Sequence, residues 1–350
     1  MWGSCATRLA VCAAAASSLA GCAALPWPSG ADRGLAPRAG AEFVDLRGAV
    51  HVHTRVSHDS KGDIGEIVDA AHGAGLAFVA FTEHPYHARL RPARGVVEGV
   101  ILIPGWEVRC AGASILALGV ERDGLPEEPR ELVDEIHRRG GAAFVAHFEA
   151  SQLADPARFA EAAPDGIEIV NLHASALEVR ARLALGELFL PAPWALGVLL
   201  RPPTQNLERF AQLHGVHALV GGVDAHAKFR VLGPLGGTLD RYRDVFRLVT
   251  THVLARQRSE KGVLEALRAG RSYVAFEGIA PVEHFAAERA ADGYAVRAPE
   301  AARLELVCAG TVVDRAESAE AVLHAPPDAE RCHVEAWLGS RLWVITSPLG

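Results

Sequence analysis

The chain is short of aromatic residues, which make up 6% of its 350 positions, and its single methionine is the first residue. It also lacks a basic excess: 35 lysines and arginines face 42 aspartates and glutamates, for a formal net charge of −7, and the cations are scattered rather than striped. With no basic face to hold a phosphate backbone, nucleic acid is not expected as a partner. There are six cysteines, of which only Cys110 falls near the polar groups described below, so a thiolate-rich structural zinc is disfavoured. Past the N-terminus there is no unbroken apolar run of membrane length. Leu183 to Leu200 comes nearest, but Glu187, Pro191 and Pro193 interrupt it, so it reads as buried or as a lid.

What the chain has in excess is histidine, 16 in all. Several stand with carboxylates at the ends of apolar runs: His51-Val52-His53, Thr82-Glu83-His84, Glu107, His147 and Asp224-Ala225-His226. Successive side chains of a strand point to opposite faces, so His51 and His53 should share a face, as should Asp224 and His226. Two ligands at one strand end can grip one cation.

From Ala49 onward, short apolar runs alternate with stretches of helical period. Strands are expected at Ala49 to His53, Ala77 to Thr82, Val100 to Glu107, Ile115 to Gly119, Ala142 to His147, Gly166 to Leu172 and Ala218 to Asp224. Helices are expected at Ile64 to Gly75, Pro129 to Arg139, Asp155 to Ala162, Leu207 to His214 and from Gly262 to Ala269, with Gly270 as a stop. The alternation predicts parallel β/α units, and ligand groups at strand C-termini favour a barrel over an open sheet. From Pro281 the pattern changes to alternating runs with Gly and Pro turns, which reads as a small β-sandwich or β-rich cap over residues 281–350.

The N-terminus reads as an address. Arg8 is the only charge in the first 31 residues and precedes an apolar stretch too short for a permanent span. Leu19-Ala20-Gly21-Cys22 resembles the bacterial lipoprotein cleavage box, which implies removal of residues 1–21, lipidation of Cys22 and residence in the bacterial cell envelope, facing the periplasm or the cell surface. Residues 23–41, rich in Pro, Gly and Ala, then form a tether, and residues 42–280 the main domain. An oxidising compartment would permit a disulfide between Cys308 and Cys332, with buried free thiols as the alternative.

Imidazole and carboxylate suit Zn²⁺, Mn²⁺ and Fe²⁺, and carboxylates such as Glu107 and Asp224 can bridge two ions about 4 Å apart. The set His51-Val52-His53, Ser57-His58-Asp59-Ser60, Thr82-Glu83-His84, Gly105-Trp106-Glu107, His147 and Gly222-Val223-Asp224-Ala225-His226 resembles, in order and over Ala49 to Arg230, the polymerase and histidinol phosphatase (PHP) family of metal-dependent phosphoesterases. That resemblance implies a distorted seven-stranded (β/α) barrel of PHP type with a small C-terminal β-rich domain. It implies two or three divalent metal ions: one held by His51, His53, Glu107 and Asp224, a second by His84, His226 and either His58 or Asp59, and a third facing Glu107 and His147. The third is in question because Ser114 stands where the family commonly carries a histidine. Glu83 stands where aspartate is common, a change read as tolerated.

The activity so implied is hydrolysis of a small-molecule phosphoester by a metal-bridging hydroxide. Asp224 would be essential, and His147 or His226 would protonate the leaving group. Lys61, Lys228 and Arg230 flank the ligand motifs and are candidates for holding a substrate oxyanion, as solvated loop charges are also. Asn171, with Glu168 and His173, is expected either behind the ligands or against substrate. The downstream segments resemble an exported branch that includes carbaryl-hydrolase-like enzymes. The same fold could therefore cut a carboxyl or carbamate ester or an amide, or serve as a non-catalytic metal-binding lipoprotein.

Overall fold

The structure, a computed structural model, describes residues 42–84, 90–148, 156–189, 196–232, 237–291 and 293–349. The leader, Cys22 and the tether lie outside the described residues. The chain is a mixed α/β protein built on one 16-stranded sheet. Its strands are β1 (Val44–Val52), β2 (Phe78–Phe81), β3 (Gly95–Val97), β4 (Val100–Ile103), β5 (Gly105–Cys110), β6 (Ala113–Leu118), β7 (Ala142–Ala146), β8 (Gly166–Asn171) and β9 (Ala218–Ala225). They continue with β10 (Thr250–Ala255), β11 (Ser272–Ala275), β12 (Ala286–Ala290), β13 (Gly293–Cys308), β14 (Thr311–Leu323), β15 (Cys332–Leu338) and β16 (Arg341–Thr346).

Pairing is parallel for β1 with β2 and β9, β2 with β4, β7 with β8, and β8 with β9. It is antiparallel for β5 with β6 and β6 with β7, where the strand-helix alternation predicts parallel units. The reason is local. Val100 to Cys110 bends at Pro104, which cannot donate to a ladder, and a two-residue turn at Ala111 and Gly112 sends the chain straight back. A parallel bridge from Glu83 to Trp106 links β5 to the segment after β2, and β2 pairs with β1, so the ladder path β1–β9–β8–β7–β6–β5 returns to its start.

Helices cover the sheet: α1 (Ile64–Gly73), α2 (Pro129–Arg138), α3 (Pro156–Glu161), α4 (Leu172–Glu178), α5 (Arg180–Phe189), α6 (Thr204–Gln212), α7 (Tyr242–Val245) and α8 (Glu260–Arg268). Caps set several of their starts. Asp63 accepts from Gly65 N, Glu128 from the N–H groups of Arg130 and Glu131, and Ser259 from Gly262 N. One sheet face packs Val50, Phe78, Ile101, Leu116, Phe144 and Val220 against Val263 and Leu267 of α8. The other packs Val52, Phe81, Ile115, Ile169 and Val223 against the remaining helices. Leu183, Leu196, Leu199 and Leu200, from the interrupted apolar stretch, are buried in this second layer. Among the described residues no helix is long and apolar enough to cross a membrane.

The last strands run antiparallel and join the main sheet where β16 pairs with β11. Their core gathers Phe285, Leu304, Val334 and Trp343. Cys308 and Cys332, opposite each other in the β13–β15 ladder, form a disulfide.

Candidate metal centre

The histidines and carboxylates singled out in the sequence meet at one end of the strands. His51 lies at the C-terminal end of β1 with φ of 65°, and both parallel ladders of β1 shift register between Val50 and Val52. Asp224 of β9 has φ of 47° within the same irregularity, and His147, just past β7, has φ of 50°. Strict alternation therefore does not aim these side chains. Bulged, left-handed residues turn them out of the pleat toward a common point.

Glu107 and Asp224 are the hubs. Oε2 of Glu107 lies 3.3 Å from His51 Nε2, 3.7 Å from His53 Nε2 and 3.6 Å from His84 Nδ1, while Oε1 faces His147 Nε2 at 3.2 Å. Oδ1 of Asp224 lies 3.6 Å from His51 Nε2, 3.4 Å from His53 Nε2 and 3.4 Å from His226 Nδ1, while Oδ2 faces His147 at 3.8 Å. Each carboxylate thus offers its two oxygens to different imidazoles. Asp59 adds an oxygen 3.2 Å from His226 Nε2 and another 3.6 Å from His84 Nε2. Of the neighbouring pair His58 and Asp59, Asp59 is the one set against both histidines. His58 is exposed and lines the cleft, its ring 5.6 Å from that of His84.

The donors fit divalent ions. Three overlapping groups bring their atoms within 4.8 Å of one another: His53, His84 and His226; His51, His53 and Glu107; His51, His147 and Asp224. His53 Nε2 is buried with no hydrogen-bond partner although two carboxylate oxygens lie within 4 Å, and Asp59 Oδ1 is likewise unsatisfied. Buried polar atoms are rarely left so, and cations bound at the cluster would satisfy them. Burial, helped by the charge of His226, depresses the pKa of His53 to about 3, so its imidazole is neutral and ready to ligate. For His147 burial opposes the charged form but is outweighed by Glu107, Asp224 and Glu168, which raise its pKa to about 9. Burial likewise opposes charge on Glu107 and Asp224. The facing histidines overcome it and hold both carboxyls well below their usual range.

A second layer fixes the ligands. Glu168 Oε1 sits 2.6 Å from His51 Nδ1, its Oε2 accepts from His147 N at 2.8 Å, and Asn171 Nδ2 donates to Glu168 and Asp224 at 3.0 and 3.1 Å. Asn171 is wholly buried and also caps α4 through Ala174 N, so it supports ligands rather than touching substrate. Lys228 Nζ lies 3.3 Å from Asp59. Lys61 joins the site only through its backbone N–H, which donates to His226 O at 3.0 Å, and its side chain is exposed. Arg230 is exposed and does not line the cleft, which measures 460 Å³ and is bordered by Asp59, His84, Glu107, Arg109, His147, His173 and His226, among others.

Two supports were not evident in the sequence. Glu83, read as a variant of a ligand motif, accepts from Thr54 N and Oγ1 and from Ser57 N and Oγ, and so ties down the loop that carries His58 and Asp59. Asp240 accepts from His226 N and Phe229 N at 3.0 and 2.6 Å, with no motif around it to mark the role.

No protein-family model and no curated protein matches the chain. Among solved structures the chain is similar to a two-domain protein from Bacteroides vulgatus described as containing a predicted PHP-like metal-dependent phosphoesterase, at 17% identity and a TM-score of 0.48, covering 91% of this chain and 98% of that one.

Proposed function

We propose that the chain is a metal-dependent hydrolase of the PHP type that cleaves a phosphoester in a bacterial envelope, held to the membrane by lipid on Cys22. The observation that carries the catalytic part is the pair Glu107 and Asp224, each presenting two oxygens to different histidines, as a bridge between ions requires. The returning ladder path supports reading β1, β2, the kinked β4 and β5, β6, β7, β8 and β9 as a distorted seven-stranded barrel with the cluster at its rim. The Cys308–Cys332 disulfide supports an oxidising location.

His51, His53, Glu107 and Asp224 would hold one ion, and His84, His226 and Asp59 a second. A third would rest on His147 with the second oxygens of Glu107 and Asp224, since Ser114 is a poor ligand. When bound, the ions supply Lewis acidity and an acidified water. The chain's own part is to fix the donors through Glu168 and Asn171 and to move a proton. Where no third ion engages it, His147, with a side chain 18% exposed against 7% for His226, has the better access to a leaving oxygen, and Nε2 is its donating atom.

The test is elemental analysis of protein purified without chelator, followed by assays on p-nitrophenyl phosphate, p-nitrophenyl acetate and a naphthyl carbamate. Two or more ions per chain with phosphate ester turnover are expected. Turnover of the neutral esters alone would replace the phosphoester reading with an ester or amide hydrolase. A chain that takes up no ion after reconstitution would overturn the proposal.

A further inference from the structure

We propose that Arg109 is the anion-binding residue of the cleft and that it selects a phosphate monoester. The inference rests on the hydrolase reading and names its substrate class. Glu107 and Arg109 are two residues apart on β5, so they share a face, while Val108 between them is buried in the opposite layer. Both line the cleft. Arg109 stands opposite Ser114 in the β5–β6 ladder, and that hairpin closes through Ala111 and Gly112 at φ of 47° and 85°. Two consecutive positive φ values make the tight turn that suits strand twist, so the cation is carried by a short hairpin and not by a long loop.

The wall beside Arg109 consists of Gly112, Ala113, Ser114 and Ala146, short side chains that leave room for a substrate group. The permanently charged groups lining the cleft, among the described residues, are the carboxylates Asp59, Glu107 and Asp224 and the guanidinium of Arg109. Lys228, the nearby ammonium, is engaged with Asp59, whereas no ion pair joins Arg109 to a carboxylate among the described residues. Two divalent ions would more than offset the three carboxylates, and Arg109 then leaves the cleft positive. That balance favours a dianion over a neutral ester, and the planar guanidinium fork matches two oxygens of a terminal phosphate.

The experiment compares wild type with Arg109→Gln and Arg109→Lys as ion-loaded full chains. Read out are kcat and KM on p-nitrophenyl phosphate and p-nitrophenyl acetate, calorimetric affinity for inorganic phosphate, and metal content. Arg109→Gln should raise KM for the phosphate and weaken phosphate binding about tenfold or more, with kcat changed far less and metal content and acetate turnover unchanged. Arg109→Lys should recover part of the loss. An unchanged KM and phosphate affinity in Arg109→Gln would overturn the role of Arg109 while leaving the hydrolase reading intact. A loaded wild type that cleaves no phosphate ester would overturn the hydrolase reading and this inference together.

Discussion

Nδ1 of His51 lies 2.6 Å from Oε1 of Glu168, and both side chains are wholly shielded from solvent. The carboxylate fixes which imidazole nitrogen faces the cluster and makes it more basic. Gly222, within the Gly-Val-Asp-Ala-His motif, makes room for it, because a Cβ there would fall on the Glu168 carboxylate. Glu168→Gln should therefore weaken metal binding about 10- to 100-fold with the fold retained, and Gly222→Ala should weaken it comparably by displacing the same group. Metal titration by calorimetry checks both. Wild-type affinity in Gly222→Ala would show that the carboxylate's place is not what matters.

Asp224→Ala removes a carboxylate facing His51, His53, His147 and His226. Turnover should fall at least about a hundredfold, and metal content by one ion or more. Elemental analysis beside the ester assays reads both, and retained activity at full metal content would refute the ligand role.

Glu83 offers a stability test away from the ions. Its replacement by alanine strands buried donors on Thr54 and Ser57 and should cost about 2–4 kcal/mol. Urea denaturation measures this. Because Asp59 belongs to the same loop, the variant should also bind metal more weakly than its stability loss alone explains. A loss below about 1 kcal/mol would mean that water replaces the carboxylate.

In the ion-free protein, pH should act from both sides. His147, raised to about 9, contributes stability that is fully present below its unfolded pKa of about 6.5 and is lost as pH rises through the folded value. Glu107 and Asp224, both depressed, contribute stability present above about pH 4 and lost as pH falls through their folded values. Bound ions should flatten the alkaline decline, because a ligating imidazole carries no proton there to lose. Thermal melts from about pH 2 to 10 with and without chelator decide the matter. An ion-free protein equally stable on either side of the His147 transition would contradict the assignment.

The Cys308–Cys332 bridge closes a loop with a sequence separation of 24. Paired serine substitution should lower stability by about 3 kcal/mol, with metal content unchanged because the bridge lies in the terminal strands. Denaturation of the double variant gives the answer, and a fall in metal content would tie those strands to the site.

Most buried strands of the first 225 residues and the helices at Ile64–Gly73, Pro129–Arg138 and Glu260–Arg268 are legible in the sequence because their apolar periods are strong, with Gly270 marking a stop. β14 is hard to place from the sequence, since Thr311–Leu323 is a largely exposed strand whose charges mask alternation. β1 begins at Val44, earlier than its apolar run, because Asp45 and Arg47 find partners across the sheet in His252 and Glu277. Residue type and position singled out the ligand histidines, but the alternation rule could not aim them, since a bulge leaves no mark in composition. Glu83 and Asp240 were illegible for a different reason. Their work is to accept backbone and hydroxyl hydrogens from residues distant in sequence, which a one-dimensional pattern does not record.

The left-handed backbone at His51, His147 and Asp224 has a consequence for what the chain can become. A side chain bearing Cβ pays at such φ values, and glycine does not. His147→Gly should therefore relax backbone strain in the ion-free protein even as it removes a ligand. Against that relief stands the loss of the imidazole's pairing with Glu107 and Asp224, so the left-handed backbone is a local cost the fold carries in order to place a side chain at the cluster.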